Sequence, residues 1–290
     1  MSSRLATSAW RIGPSRHVSL DRPRLIGILN VTPDSFSDGG QFLDPAAAVD
    51  QAQRMIAEGA DIIDIGGEST RPGAQRVDAD EQIARVIPVI KRLRDVSNVV
   101  VSIDTTCYEV ACAAIDAGAS IINDVAAGTE DDRVLSLAAA RQCGLILMHR
   151  LKPPDRDSYS HQYAIAPTYE NVAADVRSFL VERAEAAIAT GVHRSAIVID
   201  PGLGFGKSVD QNYELIRRFD ELGEAGYPVL CAASRKSFIG AAGGEHVPNR
   251  RVAGSVAVAV AAFVQGVRLF RAHDVAPHRE ALAVAARIMP

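Results

Sequence analysis

Short apolar runs recur along the chain at about residues 24–31, 61–67, 98–104, 120–125, 144–149, 196–200, 228–233 and 267–272. Their Ile, Val and Leu residues fall on adjacent as well as alternate positions, the pattern of a strand covered on both faces. Between them apolar residues return at three- and four-residue spacing over 46–57, 79–93, 108–117, 133–142, 169–190, 209–222 and 276–288, which predicts amphipathic helices. Eight such strands alternating with helices, in a chain of 290 residues without a proline- or serine-rich divider, predict an α/β fold of the (β/α)₈ barrel type and a single domain. Residues 1–20 stand outside the alternation and read as an N-terminal arm; residues 21–290 carry the barrel.

The strands end in polar groups. Asn30, Asp104, Asn123, Met148-His149 and Asp200 close five of them; Gly66-Gly-Glu-Ser-Thr-Arg-Pro-Gly73, Ser234-Arg-Lys-Ser237 and Arg271-Ala-His273-Asp274 follow three others. A single Asp or Asn at such a place is ordinarily a helix cap or a turn former, and a single arginine or histidine is ordinarily structural. Independent caps have no reason to recur on one rim of the barrel, and loops after the strand C-termini are where such barrels carry their chemistry. Asp124 is the exception: Asn123 fills the inward position, and neighbouring side chains on a strand point apart. The turn Asp200-Pro-Gly-Leu-Gly-Phe-Gly-Lys207 is the densest stretch, its three glycines permitting a sharp bend, with Phe205 and Lys207 as an aromatic face and a cation. It is neither a phosphate loop, which needs glycine where Pro201 stands, nor a dinucleotide fingerprint, whose last glycine falls one position after Gly206.

Composition narrows the partners. A net charge of −4, interspersed signs and 5% aromatic residues argue against a nucleic-acid surface. The longest apolar stretch, Val252–Val264, is too short to span a bilayer, so no membrane association is expected, and residues 252–267 are the candidate subunit interface. Four cysteines without CxxC spacing read as buried thiols in a reducing cytoplasm. Arg4, Arg11 and Arg16 among serines faintly suggest an organelle transit segment, but a loose arm across one end of the fold is the preferred reading.

The rim residues have a joint chemistry. Asp104, Asp200 and the Asn123 amide suit the edge of a flat heterocycle rich in N–H groups, with Lys236 donating to a ring carbonyl. Met148, Phe205 and the Arg271 guanidinium can cover its faces. Asn30, Arg71, Arg271 and His273 form an anion site suited to phosphate or pyrophosphate, and Asn30 beside phosphate oxygens suits Mg²⁺. No zinc-site spacing occurs. Glycine pairs at 39–40 and 66–67 allow the first two loops to hinge, with Pro33, Phe36 and Pro72 closing over a second, partly apolar substrate.

At these residues the chain resembles the dihydropteroate synthases. The blocks NVTPDSFSDGG at 30–40, GGESTRPG at 66–73, SIDT at 102–105, IINDV at 121–125, DPGLGFGK at 200–207, SRKSFIG at 234–240 and RAHDV at 271–275 occur in that family's order. The resemblance implies a homodimeric barrel that joins 6-hydroxymethyl-7,8-dihydropterin diphosphate to p-aminobenzoate with Mg²⁺, giving 7,8-dihydropteroate and pyrophosphate. It implies that Asp104, Asn123, Asp200 and Lys236 bind the pterin edge and that Asn30, Arg71, Arg271 and His273 hold the diphosphate and metal. Thr70, Pro72, Phe36 and Ser237 would shape an aminobenzoate pocket open to sulfonamides, with Asp34 ordering it. Two departures stand out: Arg150-Leu-Lys-Pro-Pro154 replaces the usual Met-Gln-Gly after His149, and Cys107 replaces a common lysine. The rival readings are a weakly active paralogue, favoured by the altered fifth loop, and a pterin-dependent methyltransferase-like barrel, which would not need the SRK and R-x-H anion site.

Overall fold

The eight apolar runs form one parallel ladder in the computed structural model, which describes residues 8–32 and 44–289. The barrel strands are β3 (Arg24–Asn30), β4 (Ile62–Gly66), β5 (Val100–Asp104), β6 (Ile121–Asp124), β7 (Gly144–Met148), β8 (Ile197–Asp200), β9 (Leu230–Cys231) and β10 (Leu269–Ala272). Ladder order follows the chain from β3 to β8, and β10 joins β3 to β9. A parallel bridge between Ile199 and Val229 closes the ring, with the Ile199 N–H donating to Pro228 O at 3.0 Å. The barrel expected from the alternation of elements is therefore the fold observed.

The outer shell consists of α1 (Pro45–Glu58), α2 (Ala79–Val96), α3 (Tyr108–Asp116), α4 (Arg133–Arg141), α5 (Val172–Ala189), α6 (Val209–Arg217), α7 (Phe219–Gly223), α8 (Ser237–Gly243), α9 (Val252–Val264) and α10 (Val275–Ile288). Several start where the local chemistry requires. Asp78 accepts the Glu81 N–H before α2, and Ser208 with Gln211 makes a reciprocal cap before α6. One continuous helix was expected over 209–222, but the chain breaks at Arg218, which leaves the helical region at φ −126°. The Phe219 N–H then donates to Gln265 Oε1 at 3.0 Å on the segment after α9, so a tertiary contact replaces the helical one.

The expected loose arm is, from residue 8 on, a small antiparallel hairpin, β1 (Ala9–Arg11) and β2 (His17–Ser19). Its Trp10 is fully buried and donates from Nε1 to Ala196 O at 2.8 Å, and Ile12, Val18 and Leu20 join the same cluster. That cluster includes Ile26, Ile62, Ile121, Ile146, Val198, Leu230 and Leu269, the lowest inward layer of the barrel. The hairpin thus plugs the N-terminal end of the strands. The C-terminal end is left to carry the polar groups.

Candidate active site

Strand alternation carries the inner wall from apolar to polar within one step of two residues. Above Ile62, Val100, Ile121, Ile146, Val198 and Leu269 the inward positions hold Asp64, Ser102, Asn123, Met148, Asp200 and Arg271; two residues further come Asp104 at the end of β5 and His273 just past β10. Asp64 and Ser102 escaped the reading of strand ends, because each lies inside an apolar run. The same alternation, followed inward from Ile62 and Val100, points to both.

Arg271 organises the charges. Its Nε donates to Asp64 Oδ2 at 2.6 Å and its Nη2 to Asp104 Oδ2 at 2.7 Å, while Asn123 Nδ2 donates to Asp64 Oδ2 at 3.0 Å. Asp64 is wholly buried, and Asp104, Asn123 and Asp200 nearly so. Asp64 Oδ1, Ser102 Oγ, Asp104 Oδ1 and Asn123 Oδ1 are buried polar atoms with no hydrogen-bond partner among the described residues. Each such atom costs about 1–3 kcal/mol, so a cluster of them in one layer marks a surface built for a polar ligand edge. Burial pushes the Asp104 carboxyl up to about 7, with the Arg271 charge opposing and Asp64 adding to the shift. Asp200 is pushed up to about 6 by burial, against the Gly202 N–H donated to its Oδ1 at 2.7 Å and the nearby Lys236 and Arg271 charges. Lys236 is lowered to about 8 by burial and by Arg271, with Asp200 and Asp104 opposing. The expected edge-binding set is thus gathered in one electrostatic neighbourhood.

The faces are supplied beside it. Met148, Phe205 and Val125 form a small apolar cluster of their own, and Lys236 Nζ sits 3.9 Å above the Phe205 ring centroid. Val125 was not anticipated. The glycine turn that presents Phe205 requires the left-handed region at Gly202 (φ 65°), where a Cβ would stand 1.9 Å from His149 O. Lys207 is not a cation offered by the turn to a ligand. It is fully buried, and Nζ donates inward to Phe205 O at 2.9 Å and Gly202 O at 3.1 Å and meets His149 Nδ1 at 2.9 Å. Burial lowers Lys207 to about 7; burial and the Lys207 charge lower His149 to about 2. His149, one of the strand-end polar groups, is a partner of this staple.

At the rim, His273 Nδ1 lies 3.0 Å from Ser234 Oγ, and the His273 N–H donates to the same oxygen at 3.1 Å. Burial, with Arg235 and Arg271 adding to it, lowers His273 to about 3, so it is neutral at pH 7. Arg71 is exposed on the loop after β4 and near enough to His273 to contribute to that shift. Arg235, inside the SRK motif, is withdrawn from an anion role: its Nε and Nη2 donate to Asp274 at 2.9 and 2.6 Å. Thr70 lines a small cavity together with Asp104, Glu68, Arg76, Glu130 and Arg150. Pro72 is half-buried on the same loop, and Asn30 ends β3 with its Oδ1 beside Gly66. Ser237 is nearly buried at the start of α8, where its Oγ accepts the Ser160 N–H at 3.2 Å. Asp34 and Phe36 lie outside the described residues.

The divergent fifth loop is well tied in. Gly73 N–H donates to Pro154 O at 2.8 Å, and Gly206 N–H to Asp157 Oδ2 at 2.9 Å. Arg150 forms an ion pair with Glu130, which also accepts from Arg76 on the second loop and from Thr106 Oγ1 at 2.9 Å. Arg150 stood out from sequence only as the start of a departure, and Asp157 and Ser160 did not stand out at all, since their partners lie far along the chain. Among the described residues no group of three His, Cys, Asp or Glu side chains is arranged to hold a metal, and no helix is long and apolar enough to cross a membrane.

The chain is similar to known proteins along nearly its whole length. The family model for "Pterin binding enzyme" matches residues 26–273. A dihydropteroate synthase of Streptococcus pyogenes is 44% identical over 266 residues, covering 91% of this chain and 95% of that protein. The structure of Xanthomonas albilineans dihydropteroate synthase with 4-aminobenzoic acid superposes with a TM-score of 0.88 at 45% identity, covering 98% of this chain and 100% of the other. The same bacterium's enzyme in complex with 7,8-dihydropteroate gives a TM-score of 0.84 at 42% identity, with 97% and 100% covered.

Proposed function

We propose, from the premise that this chain belongs to the pterin-binding enzymes and among them to the dihydropteroate synthases, a division of labour among the residues gathered at the barrel mouth. The reaction is the condensation of 6-hydroxymethyl-7,8-dihydropterin diphosphate with p-aminobenzoate, giving 7,8-dihydropteroate and pyrophosphate. The observation that carries the assignment is the cluster of unpartnered acceptors at Asp104, Asn123 and Asp64 beside Asp200. Asp104, Asn123 and Asp200 take the N–H groups of the pterin edge, and Lys236 donates to its ring carbonyl. Met148 and Phe205 hold the ring faces, and Arg271, anchored by two carboxylates, presents its plane toward them. With the ring fixed, breaking the C–O bond to the diphosphate ahead of amine attack develops positive charge on the pterin. Asp104 and Asp200 are already in place to stabilise it without reorganisation.

Arg71, Arg271 and His273 receive the leaving diphosphate. A neutral imidazole contributes a hydrogen bond there, and the arginines supply the charge. Mg²⁺ fits this site as an ion bound mainly by diphosphate oxygens and water, with the Asn30 carboxamide oxygen as a protein ligand; the absence of a carboxylate cage among the described residues suits that mode. When bound it would neutralise charge on the leaving group. Thr70, Pro72 and Ser237 form the aminobenzoate pocket, so sulfonamides compete with p-aminobenzoate. Four free cysteines support residence in a reducing cytoplasm. The outward apolar face of α9 supports a homodimer.

The test is direct. Purified protein given pterin diphosphate, p-aminobenzoate and Mg²⁺ should release pyrophosphate and form dihydropteroate only when both organic substrates are present, and a sulfonamide should raise the apparent KM for p-aminobenzoate. Pterin binding without pyrophosphate release would overturn the synthase reading in favour of a non-catalytic paralogue.

A further inference from the structure

The fifth rim loop carries no residue of the assigned site, yet it reaches the loops that do. Its start is pinned to the second loop by the Gly73 N–H at Pro154 O, and its middle to the glycine turn by Asp157 at the Gly206 N–H. Ser160 opens a single 3₁₀ turn, Ser160–Gln162, and is only 3% exposed. Its Oγ accepts from Asn212 Nδ2 at 3.1 Å, and Asn212 in turn accepts the Gly204 N–H at 2.6 Å and donates to Ser208 O at 2.7 Å. The Ser160 main-chain N–H donates to Ser237 Oγ at 3.2 Å. A serine hydroxyl has one hydrogen and two lone pairs. The amide occupies one lone pair, and no hydrogen bond from the Ser237 hydroxyl to a described residue is present, so its hydrogen is available to a ligand.

We propose that Ser160 is a positioning residue for the second substrate: its main-chain N–H sets the rotor of Ser237 so that the Ser237 hydroxyl donates to the carboxylate of the aromatic acid. This rests on the reading that Ser237 belongs to the aminobenzoate pocket. It makes the divergent loop a determinant of how tightly that acid is held.

The two functions of Ser160 separate by substitution. Ser160→Ala removes the Oγ and keeps the N–H. Ser160→Pro removes the N–H where the backbone tolerates proline, because the position opens a helical turn and Tyr159 before it is extended (φ −61°, ψ 144°). Ser160→Ala should leave the KM for p-aminobenzoate within about twofold, whereas Ser160→Pro should raise it about five- to tenfold with the Kd for pterin diphosphate unchanged. In a Ser237→Ala background Ser160→Pro should have no further effect. Should the proline variant not fold, an amide-to-ester exchange at residue 160 deletes the same donor with the side chain kept, and the same rise is expected. An unchanged KM in either donor-deleted protein, or additive effects with Ser237→Ala, overturns the inference. Failure of the unaltered protein to release pyrophosphate overturns instead the synthase reading on which it rests.

Discussion

Asp200 and Asp104 illustrate how a buried carboxylate can be costly to the empty protein and useful to the loaded one. Asp200 takes one N–H from Gly202 within the protein, and in the proposed assignment its other oxygen takes a ring donor. Asp200→Asn places an amide N–H₂ where an acceptor is required. It should weaken pterin diphosphate binding about tenfold to a hundredfold in titration calorimetry, the cost of leaving buried donors unpaired at ~1–3 kcal/mol. Affinity equal to the parent protein's would remove Asp200 from the edge. The pH dependence has a definite sign. Because folding raises both carboxyls, to about 7 and about 6, their contribution favours the unliganded fold below the ordinary carboxylate range and is lost as pH rises through 6 to 7. Pterin binding runs the other way, since it needs the ionised acceptors. Affinity should fall as pH drops below that window and fall again above about 8, where Lys236 loses its proton. A flat calorimetric profile between pH 5 and 9 would contradict the assignment of these three groups.

The elements differ in how plainly the sequence announces them, and the difference is physical. Barrel strands are legible because both of their faces are covered, which forces unbroken Ile, Val and Leu runs. The hairpin of residues 9–19 is not. Its strands are three residues long, and Trp10, Ile12, Val18 and Leu20 are spaced by arginine, glycine and serine, so its apolar face exists only against the barrel floor. The break at Arg218 was equally hidden, because Gln265, the partner that replaces the helical bond, lies 46 residues from Phe219. A plug at the closed end should matter for stability and little for chemistry. Trp10→Ala should cost about 3–5 kcal/mol in denaturant unfolding, through lost burial and the orphaned Ala196 carbonyl. At a temperature where the variant stays folded its kcat should match the parent's. A large loss of kcat would mean that the floor shapes the mouth.

For the whole molecule, the rim was readable and the supporting layers were not. Residues such as Asp104, Asn123 and Asp200 interrupt an apolar run at its end, where a polar group has no packing reason to be. Asp64 and Ser102 lie within runs, and Ser160 acts through its backbone, which no side-chain pattern records. Association of two chains is the remaining level. Most exposed faces of the outer helices are charged, but α9 turns Ala253, Ala257, Ala261 and Val264 outward, the last 49% exposed. Neighbouring α10 adds Val284 and Ile288, 55% and 73% exposed. An apolar stripe over two adjacent helices costs solubility unless it is covered, and in the proposed homodimer a second copy of the same stripe would cover it through a twofold axis. Sedimentation velocity at micromolar concentration should therefore show two chains per particle, and Ala257→Glu with Val264→Glu should reduce it to one. Both positions are solvent-facing, so the fold has no reason to suffer, and neither is among the site residues. The charged double variant should accordingly keep most of its kcat per chain. A particle of one chain before substitution would remove the reason for the stripe, and an unchanged dimer after it would place the interface on another face.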